Sequence, residues 1–391
     1  MTIIASAART PIGKFGGVFK DLPAVELGAL AIKEAVKRSG LSGDKLELAI
    51  IGQVLQAGCG QIPSRQATLR AGLPIDLPSE TLNKVCASSF RAVTAADQMI
   101  RSGDMDIILA GGMESMSNAP FASKEHRWGH RMFNSQFIDI MVHDGLWCAV
   151  HDCHMAVHGG VLAKEFDISR QSQDEWAYRS QVRAVAAIKE GRMKDEIVPV
   201  VLKGKKGDVV VENDEGPRAD VTLEALTKLP VLFSKENTVT AGNAPSTNDA
   251  GSAIVVMSEA AAKANNVKPL ATILGSAMVT EEATRIASAP GNAINKLLKK
   301  TGMKIGDIDL IEINEAFAAV ALVSSKIIGA DLEKVNVNGG AVAYGHPIGA
   351  SGARVIMTLI YEMRRRKAKY GIAAICSGAA QGDAILVRCD Y

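Results

Sequence analysis

The sequence predicts an α/β fold made of two similar halves, with a separate segment inserted between them. Three observations carry the prediction. Short apolar strand candidates alternate with helical stretches, the two ends of the chain repeat each other, and the middle has a different composition. Alternation of this kind implies a largely parallel sheet with helices on both faces.

Thr2–Ala5, Leu48–Val54 and Ile107–Leu109 are apolar runs of strand length. Ala24–Ser39 and Ala87–Arg101 carry apolar residues at helical spacing, and each ends at a glycine, Gly40 or Gly103, suited to a left-handed C-cap. The same alternation returns in Ala293–Thr301, Leu310–Ile313, Ala350–Arg366 and Ile372–Ile375. Residues 31–54 lie over 293–316 without a gap, with identities at Ala31/Ala293, Ile32/Ile294, Lys37/Lys299, Gly40/Gly302, Leu48/Leu310 and Ile51/Ile313. Ala87-Ser88-x-x-Arg91 echoes Ala350-Ser351-x-x-Arg354, again at a helix start. A nearly constant offset favours duplication over generic helix–turn–strand likeness. Two such halves would pack about a pseudo-twofold axis, with matched helix N-termini converging on one site.

Residues from about 120 to 247 hold all three Trp, six of the seven His and the polar stretch Lys203–Asp220. This reads as an inserted loop domain, the kind of segment that carries binding or assembly. The expected division is an N-terminal half of residues 1–119 plus 248–270, an insertion of 120–247, and a C-terminal half of 271–391.

Composition narrows the function classes. Hydrophobic residues make up 47% and charged residues 22% of 391, which excludes a disordered chain. Lys plus Arg is 44 and Asp plus Glu 42, a net charge of +2, so nothing draws the surface to nucleic acid or membrane. No apolar run reaches the roughly 18 residues of a membrane span. Met1–Ser6 reads as a strand, not a signal peptide, and Arg388-Cys389-Asp390-Tyr391 matches no retention or peroxisomal signal. Six cysteines in a chain this long make no disulfide framework, which points to a reducing cytoplasm. Arg364–Lys367 reads as a solvated helix cap, and Asn213–Glu215 as an acidic patch serving solubility. Glycine is abundant at 36 residues and aromatics are scarce at 4%, a pairing that suggests backbone brought close to a ligand.

Four segments carry reactive groups. Cys86 stands in Asn83-Lys84-Val85-Cys86-Ala87-Ser88-Ser89, immediately ahead of a helix, where free N–H groups and the dipole are expected to lower a thiol's pKa. His346 is the only histidine outside the middle segment and lies in a glycine-rich turn, Gly345-His346-Pro347-Ile348-Gly349-Ala350-Ser351-Gly352. Cys376 opens Cys376-Ser377-Gly378-Ala379-Ala380-Gln381-Gly382, and Asn314 opens Asn314-Glu315-Ala316-Phe317-Ala318, both at strand ends. Ligands of open α/β sheets gather beside the carboxyl ends of strands, so these segments can meet.

In these four motifs, taken in order, the chain resembles a thiolase of the acetyl-CoA acetyltransferase type, over essentially its whole length. The resemblance implies two βαβαβαββ halves stacked as five layers, αβαβα, with a loop domain inserted in the first half. It implies a reversible Claisen condensation of two acetyl-CoA to acetoacetyl-CoA and CoA, or the reverse thiolysis. Cys86 would be the nucleophile and carry the acetyl group, with His346 taking its proton. Cys376 would be the acid/base at the α-carbon. His346 and a water on Asn314 would form one oxyanion hole, and the N–H groups of Cys86 and Gly378 a second. Leu146, His154, Met155, Ala241, Ala316 and Phe317 would line the acyl-CoA tunnel, with Arg218 near the adenine end. Pro245 stands where the family often has serine and Ser246 where it has glycine, a departure that bears on a hydroxyl contact to the pantetheine. Met155 narrows the pocket, which implies short chains. Coenzyme A is substrate and product, no separate cofactor is implied, and the family forms dimers, often paired into tetramers.

Other readings are weaker. A broader-chain 3-ketoacyl-CoA thiolase of fatty-acid β-oxidation is the nearest. A decarboxylating or carrier-protein-dependent condensing enzyme would need a different His/Asn set in place of Cys376. A non-catalytic acyl-CoA-binding protein would not need all four reactive positions filled. His151, Cys153, His154 and His158 form H-x-C-H-x-x-x-H, a pattern that suggests zinc; no metal is expected, since the tunnel accounts for His154.

Overall fold

The computed structural model describes residues 1–205, 207–233, 235 and 237–391. Its N-terminal half runs β1 (Thr2–Arg9), α1 (Ala24–Ser39), β2 (Leu48–Gly52), α2 (Pro63–Arg70), β3 (Ser79–Leu82), α3 (Ser88–Ser102), β4 (Ile107–Ser115) and β5 (Asn248–Ser258). Between β4 and β5 the chain leaves the sheet for residues 116–247, which include α4 (Met155–Glu165) and α5 (Arg170–Lys189). The C-terminal half runs β6 (Ala271–Thr280), α6 (Ala289–Thr301), β7 (Leu310–Ile313), α7 (Ala318–Ile328), α8 (Ser351–Arg366), β8 (Tyr370–Ser377) and β9 (Gln381–Arg388). The repeat seen in sequence has a geometric counterpart. Gly40 after α1 and Gly302 after α6 are both left-handed C-caps at φ 72.

Besides the insertion, the halves differ at one edge. The counterpart of β3 shrinks to a single bridge, Ile311 to Val335. Asn336 explains it: its side chain accepts from the Ile313 N–H at 2.8 Å and donates to the Ile313 carbonyl at 2.8 Å. One amide thus does for the edge of β7 what a longer strand would do.

Strand order is β7-β8-β9-β6-β1-β5-β4-β2-β3, so each half has the same internal order and the halves meet edge to edge. The seam is short, Thr2–Ile4 opposite Ala271–Ile273. The sheet is mixed, which corrects the expectation of a largely parallel one. Only β2/β3, β2/β4 and β7/β8 are parallel. Each half ends in an antiparallel pair, β8 with β9 joined directly by a hairpin and β4 with β5 joined through the inserted segment.

Side-chain alternation along the strands makes the layers. In β2, Leu48 and Ile50 enter one core while Ala49 and Ile51 enter another. In β8, Ala373 and Ile375 join that first core, and Ile372 and Ala374 a third. The shared core holds α3 and α8, α1 and α2 cover one outer face, and α6 and α7 cover the other. The result is five layers, αβαβα. The two central helices touch through backbone, since a Cβ on Gly352 would fall 2.2 Å from the Phe90 nitrogen, and β4 meets the turn before α8 as closely, a Cβ on Gly112 falling 2.1 Å from the Gly349 carbonyl oxygen. Only glycine permits that approach.

The segment Asn213–Glu215 corrects its solubility reading. Asp214 is buried, receives both guanidinium nitrogens of Arg9 at 2.7 and 2.9 Å, and accepts from the Ile12 N–H. Glu215 accepts the N–H groups of Lys14 and Val18. These carboxylates fasten the inserted segment to the end of the first strand and the chain that follows it. At the end of α8, Arg365 and Arg366 pair with Glu362, and Arg364 donates to the Leu270 carbonyl.

Candidate active site

Cys86 sits at the tip of a tied loop. The Asn83 Oδ1 accepts the Val85 N–H at 3.0 Å, and the Ser88 hydroxyl accepts the Lys84 N–H at 2.8 Å while donating to the Val85 carbonyl at 2.6 Å. Val85 has φ 45, an uncommon conformation for a β-branched residue and a mark of stored strain at a functional turn. Lys84 Nζ reaches across to buried Asp383 of β9 at 2.6 Å, so an ion pair spans the halves beside the thiol. The expectation of a lowered Cys86 pKa is corrected. Burial dominates and pushes the thiol up to about 12, with Glu114 adding to the rise and its own backbone N–H opposing it. Cys86 rests as a neutral thiol, and a partner must take its proton.

His346 lies at the N-terminal approach to α8. Its backbone N–H donates to Asn248 Oδ1 at 2.9 Å, which anchors the turn to the start of β5. Its Nδ1 lies 2.7 Å from Ser351 Oγ, and that hydroxyl donates to the Pro347 carbonyl at 2.9 Å. With the hydroxyl proton so directed, Nδ1–H donates to Ser351 and Nε2 presents its lone pair. Nε2 faces Asn314 Nδ2 at 3.5 Å. The Asn314 amide is oriented by Arg354, whose Nη2 donates to Oδ1 at 3.1 Å while Nη1 donates to Glu312 at 2.9 Å. Burial, aided by the Arg354 charge, lowers His346 to about 3. The ring is therefore neutral across physiological pH.

Cys376 is the penultimate residue of β8, fully buried. Burial raises its thiol well above the ordinary range, and Cys86 raises it further. Gly378 follows, close to Val85: a Cβ there would lie 3.1 Å from Val85 Cγ2. Ala379 and Ala380 turn the hairpin to β9 at φ 56 and 52.

Of the residues expected around coenzyme A, Ala316 and Phe317 are buried and share an apolar cluster with Ala156, against which Met155 packs. Phe317 also packs on Gly159 of α4. His154 caps α4, its Nδ1 accepting the Ala156 N–H at 3.1 Å, and its ring stacks on Phe233 at 4.3 Å. Leu146 packs on the central core, whereas Arg218 and Ala241 are exposed. Pro245 is half-buried, and the Ser246 hydroxyl is engaged with Asn248 Oδ1 at 2.9 Å. Among the described residues no group of three or more His, Cys, Asp or Glu side chains is arranged to hold a metal.

Sequence reasoning passed over the supports. Glu114 is fully buried and accepts the N–H groups of Val54, Leu55 and Gly349 at 3.1, 3.1 and 2.9 Å, with burial raising it to about 7. Glu315 accepts from Trp176, Ser180, Asn336 and the Val342 N–H, tying the Asn314 turn to α5. Arg354 had a signal, as the one charged residue in the first eleven residues of α8, at a repeat-matched position. Glu114 had none.

A duplicated five-layer α/β frame with a buried thiol and a neutral imidazole ahead of paired helix N-termini, and a second buried thiol near a strand end, suits cysteine-dependent acyl transfer. Comparison makes the family explicit. Residues 2–260 match the family model for the thiolase N-terminal domain, and residues 267–389 the model for the thiolase C-terminal domain. The chain belongs to the thiolase family. It is 46% identical over 390 residues to an acetyl-CoA acetyltransferase of Syntrophomonas wolfei, covering 99% of this chain and 98% of the relative. It is 45% identical over 389 residues to one of Pseudomonas aeruginosa, covering 99% of each. A third, from Chromobacterium violaceum, is 47% identical over 386 residues, covering 98% of each.

Proposed function

We propose that the protein is an acetyl-CoA C-acetyltransferase that interconverts two acetyl-CoA with acetoacetyl-CoA and CoA through an acetyl-Cys86 intermediate. The observation that carries this reading is the neutral His346 held between Ser351 and Asn314, in a chain whose Cys86 and Cys376 thiols are both buried. The names shared by the relatives support the acetyl substrate.

A thiol near 12 and an imidazole near 3 do not form a standing ion pair. The proton passes from Cys86 to Nε2 as the sulfur–carbon bond forms, and then to the departing CoA sulfur. In the second half-reaction Cys376 takes the α-proton of a second acetyl-CoA, and the carbanion attacks the acetyl-cysteine. The enolate oxygen then needs a donor, which Nε2–H and a water on Asn314 would supply, with the N–H groups of Cys86 and Gly378 serving the tetrahedral oxyanion. His346 thus serves once as acceptor and once as donor at the same nitrogen. Ser351 suits that change, because its hydroxyl can accept from Nδ1–H or rotate to donate to Nδ1. The tunnel we assign to Leu146, His154, Met155, Ala241, Ala316 and Phe317, with Pro245, Ser246 and Arg218 toward the CoA end, fits short acyl chains.

We also infer a homo-oligomer in a reducing cytoplasm. Among the described residues β3 pairs only with β2, leaving an edge open. Trp128 is 90% and Phe133 89% exposed in the inserted segment, an apolar display that supports self-association. No described helix is long and apolar enough to cross a membrane. Loss of the magnesium–acetoacetyl-CoA absorbance on adding CoA tests the reaction, and no loss beyond the uncatalysed rate refutes it. Octanoyl-length ketoacyl-CoA cleaved as fast as acetoacetyl-CoA would replace the short-chain reading with the β-oxidation one.

A further inference from the structure

Trp147–Cys148 and Cys153–His154 form a small antiparallel ladder in which Cys148 stands directly opposite Cys153. Both are free thiols. Directly opposed residues in such a ladder hold their Cα atoms ~4.5–5.5 Å apart, within the ~4.4–6.8 Å that a disulfide spans. Only Ala149, Val150, His151 and Asp152 lie between the two cysteines, so the bond would close one short hairpin.

The two thiols differ in access. Cys148 is 3% exposed and Cys153 half-buried. Cys153 Sγ lies 3.3 Å from His158 Nε2, the His158 ring meets His151 edge-on at 5.3 Å, and His151 binds Glu282 at 2.7 Å. Burial, with His151 alongside, keeps His158 below the usual histidine range, so it is neutral near neutral pH and able to take a proton. Burial and Cys148 raise the Cys153 thiol, so the pair rests neutral, and the 3.3 Å contact makes His158 Nε2 the acceptor for the proton as the sulfur attacks. No step of the proposed condensation uses these groups.

We propose that Cys148 and Cys153 are a site of reversible oxidation, a dithiol that exchanges with low-molecular-weight disulfides. His158 takes the Cys153 proton, and the thiolate attacks one sulfur of the small disulfide, breaking its S–S bond and releasing one thiol. Cys148 gives up its proton and attacks the Cys153 sulfur, closing the protein disulfide and releasing the second thiol. Two protein thiols are oxidised and one small disulfide is reduced to two thiols, with no other reactant. The bond pins the hairpin that leads into His154, and its effect on coenzyme A binding rests on the function proposed above. The oxidation itself does not.

The test incubates the full-length protein with glutathione disulfide, blocks residual thiols with N-ethylmaleimide and maps the tryptic peptides by mass. Cleavage after Arg131 and Lys164 yields a peptide holding Cys148 and Cys153 and no other cysteine. In the wild type this peptide should become two hydrogens lighter, carry neither glutathione nor maleimide, and revert with dithiothreitol. In Cys148→Ser it should retain one glutathione on Cys153. Cys148→Ala replaces that variant if circular dichroism shows it misfolded. Maleimide on both wild-type cysteines, or glutathione held on Cys153 with Cys148 alkylated, overturns the proposal. The readout is mass, so it stands apart from whether the protein proves to be a thiolase.

Discussion

Replacing Ser351 with alanine tests the histidine network most directly. The hydroxyl is the one partner of His346 Nδ1, at 2.7 Å, and the site is closed to solvent, with Ser351 1% exposed. Removing it leaves a buried ring N–H without an acceptor, worth about 1–3 kcal/mol. It also frees the ring to take the other tautomer, which would aim Nε2–H at the Asn314 amide nitrogen 3.5 Å away. If that cost falls on the transition state, kcat drops by a factor of roughly 5 to 150. KM for acetoacetyl-CoA should stay near wild type, because Ser351 touches the ring and not the tunnel. The thermal midpoint should fall by only about 3 °C. Steady-state thiolysis measures both constants, and Ser351→Thr, which keeps the hydroxyl, should recover most of the loss. A kcat for Ser351→Ala within about twofold of wild type would refute the view that Ser351 sets the state of His346.

Cys86→Ser should abolish both acetyl labelling and condensation, whereas Cys376→Ala should still acquire a labelled acetyl group at Cys86 yet form no acetoacetyl-CoA; loss of labelling in the second variant would make Cys376 structural. Because Cys86 is pushed up to about 12, its alkylation by iodoacetamide in the free protein should keep accelerating through about pH 10, and a plateau near neutral pH would mean a preformed thiolate. Glu114 is raised from 4.5 to about 7, so it favours folding below its unfolded pKa and loses that contribution as pH rises through about 7, on the order of 3 kcal/mol. Urea midpoints should therefore fall more steeply between those pH values for the wild type than for Glu114→Gln, and equal slopes would count against the assignment.

The duplication was legible because repetition leaves an offset. Gly40 and Gly302 must both end helices in a left-handed turn, and both needed glycine to do so. The reactive groups were legible for a similar reason, since Cys86, His346, Cys376 and Asn314 sit in short motifs at helix starts and strand ends. Strand direction was less readable, because apolar runs look alike whether a strand runs up or down.

The sequence by itself determined the two-half α/β frame, its inserted segment and the reactive side chains. Only the tertiary structure decided the protonation of those side chains. Thiol and imidazole states depend on desolvation, which comes from layers packed around α3 and α8, and a helix N-terminus that reads as activating in sequence is outweighed once the sulfur is buried. It likewise decided that Asp214 grips Arg9, that Arg354 orients Asn314, and that Cys148 faces Cys153 across a hairpin. The first two depend on contacts between residues far apart in the chain, and the third on a ladder register that the spacing of two cysteines does not by itself encode.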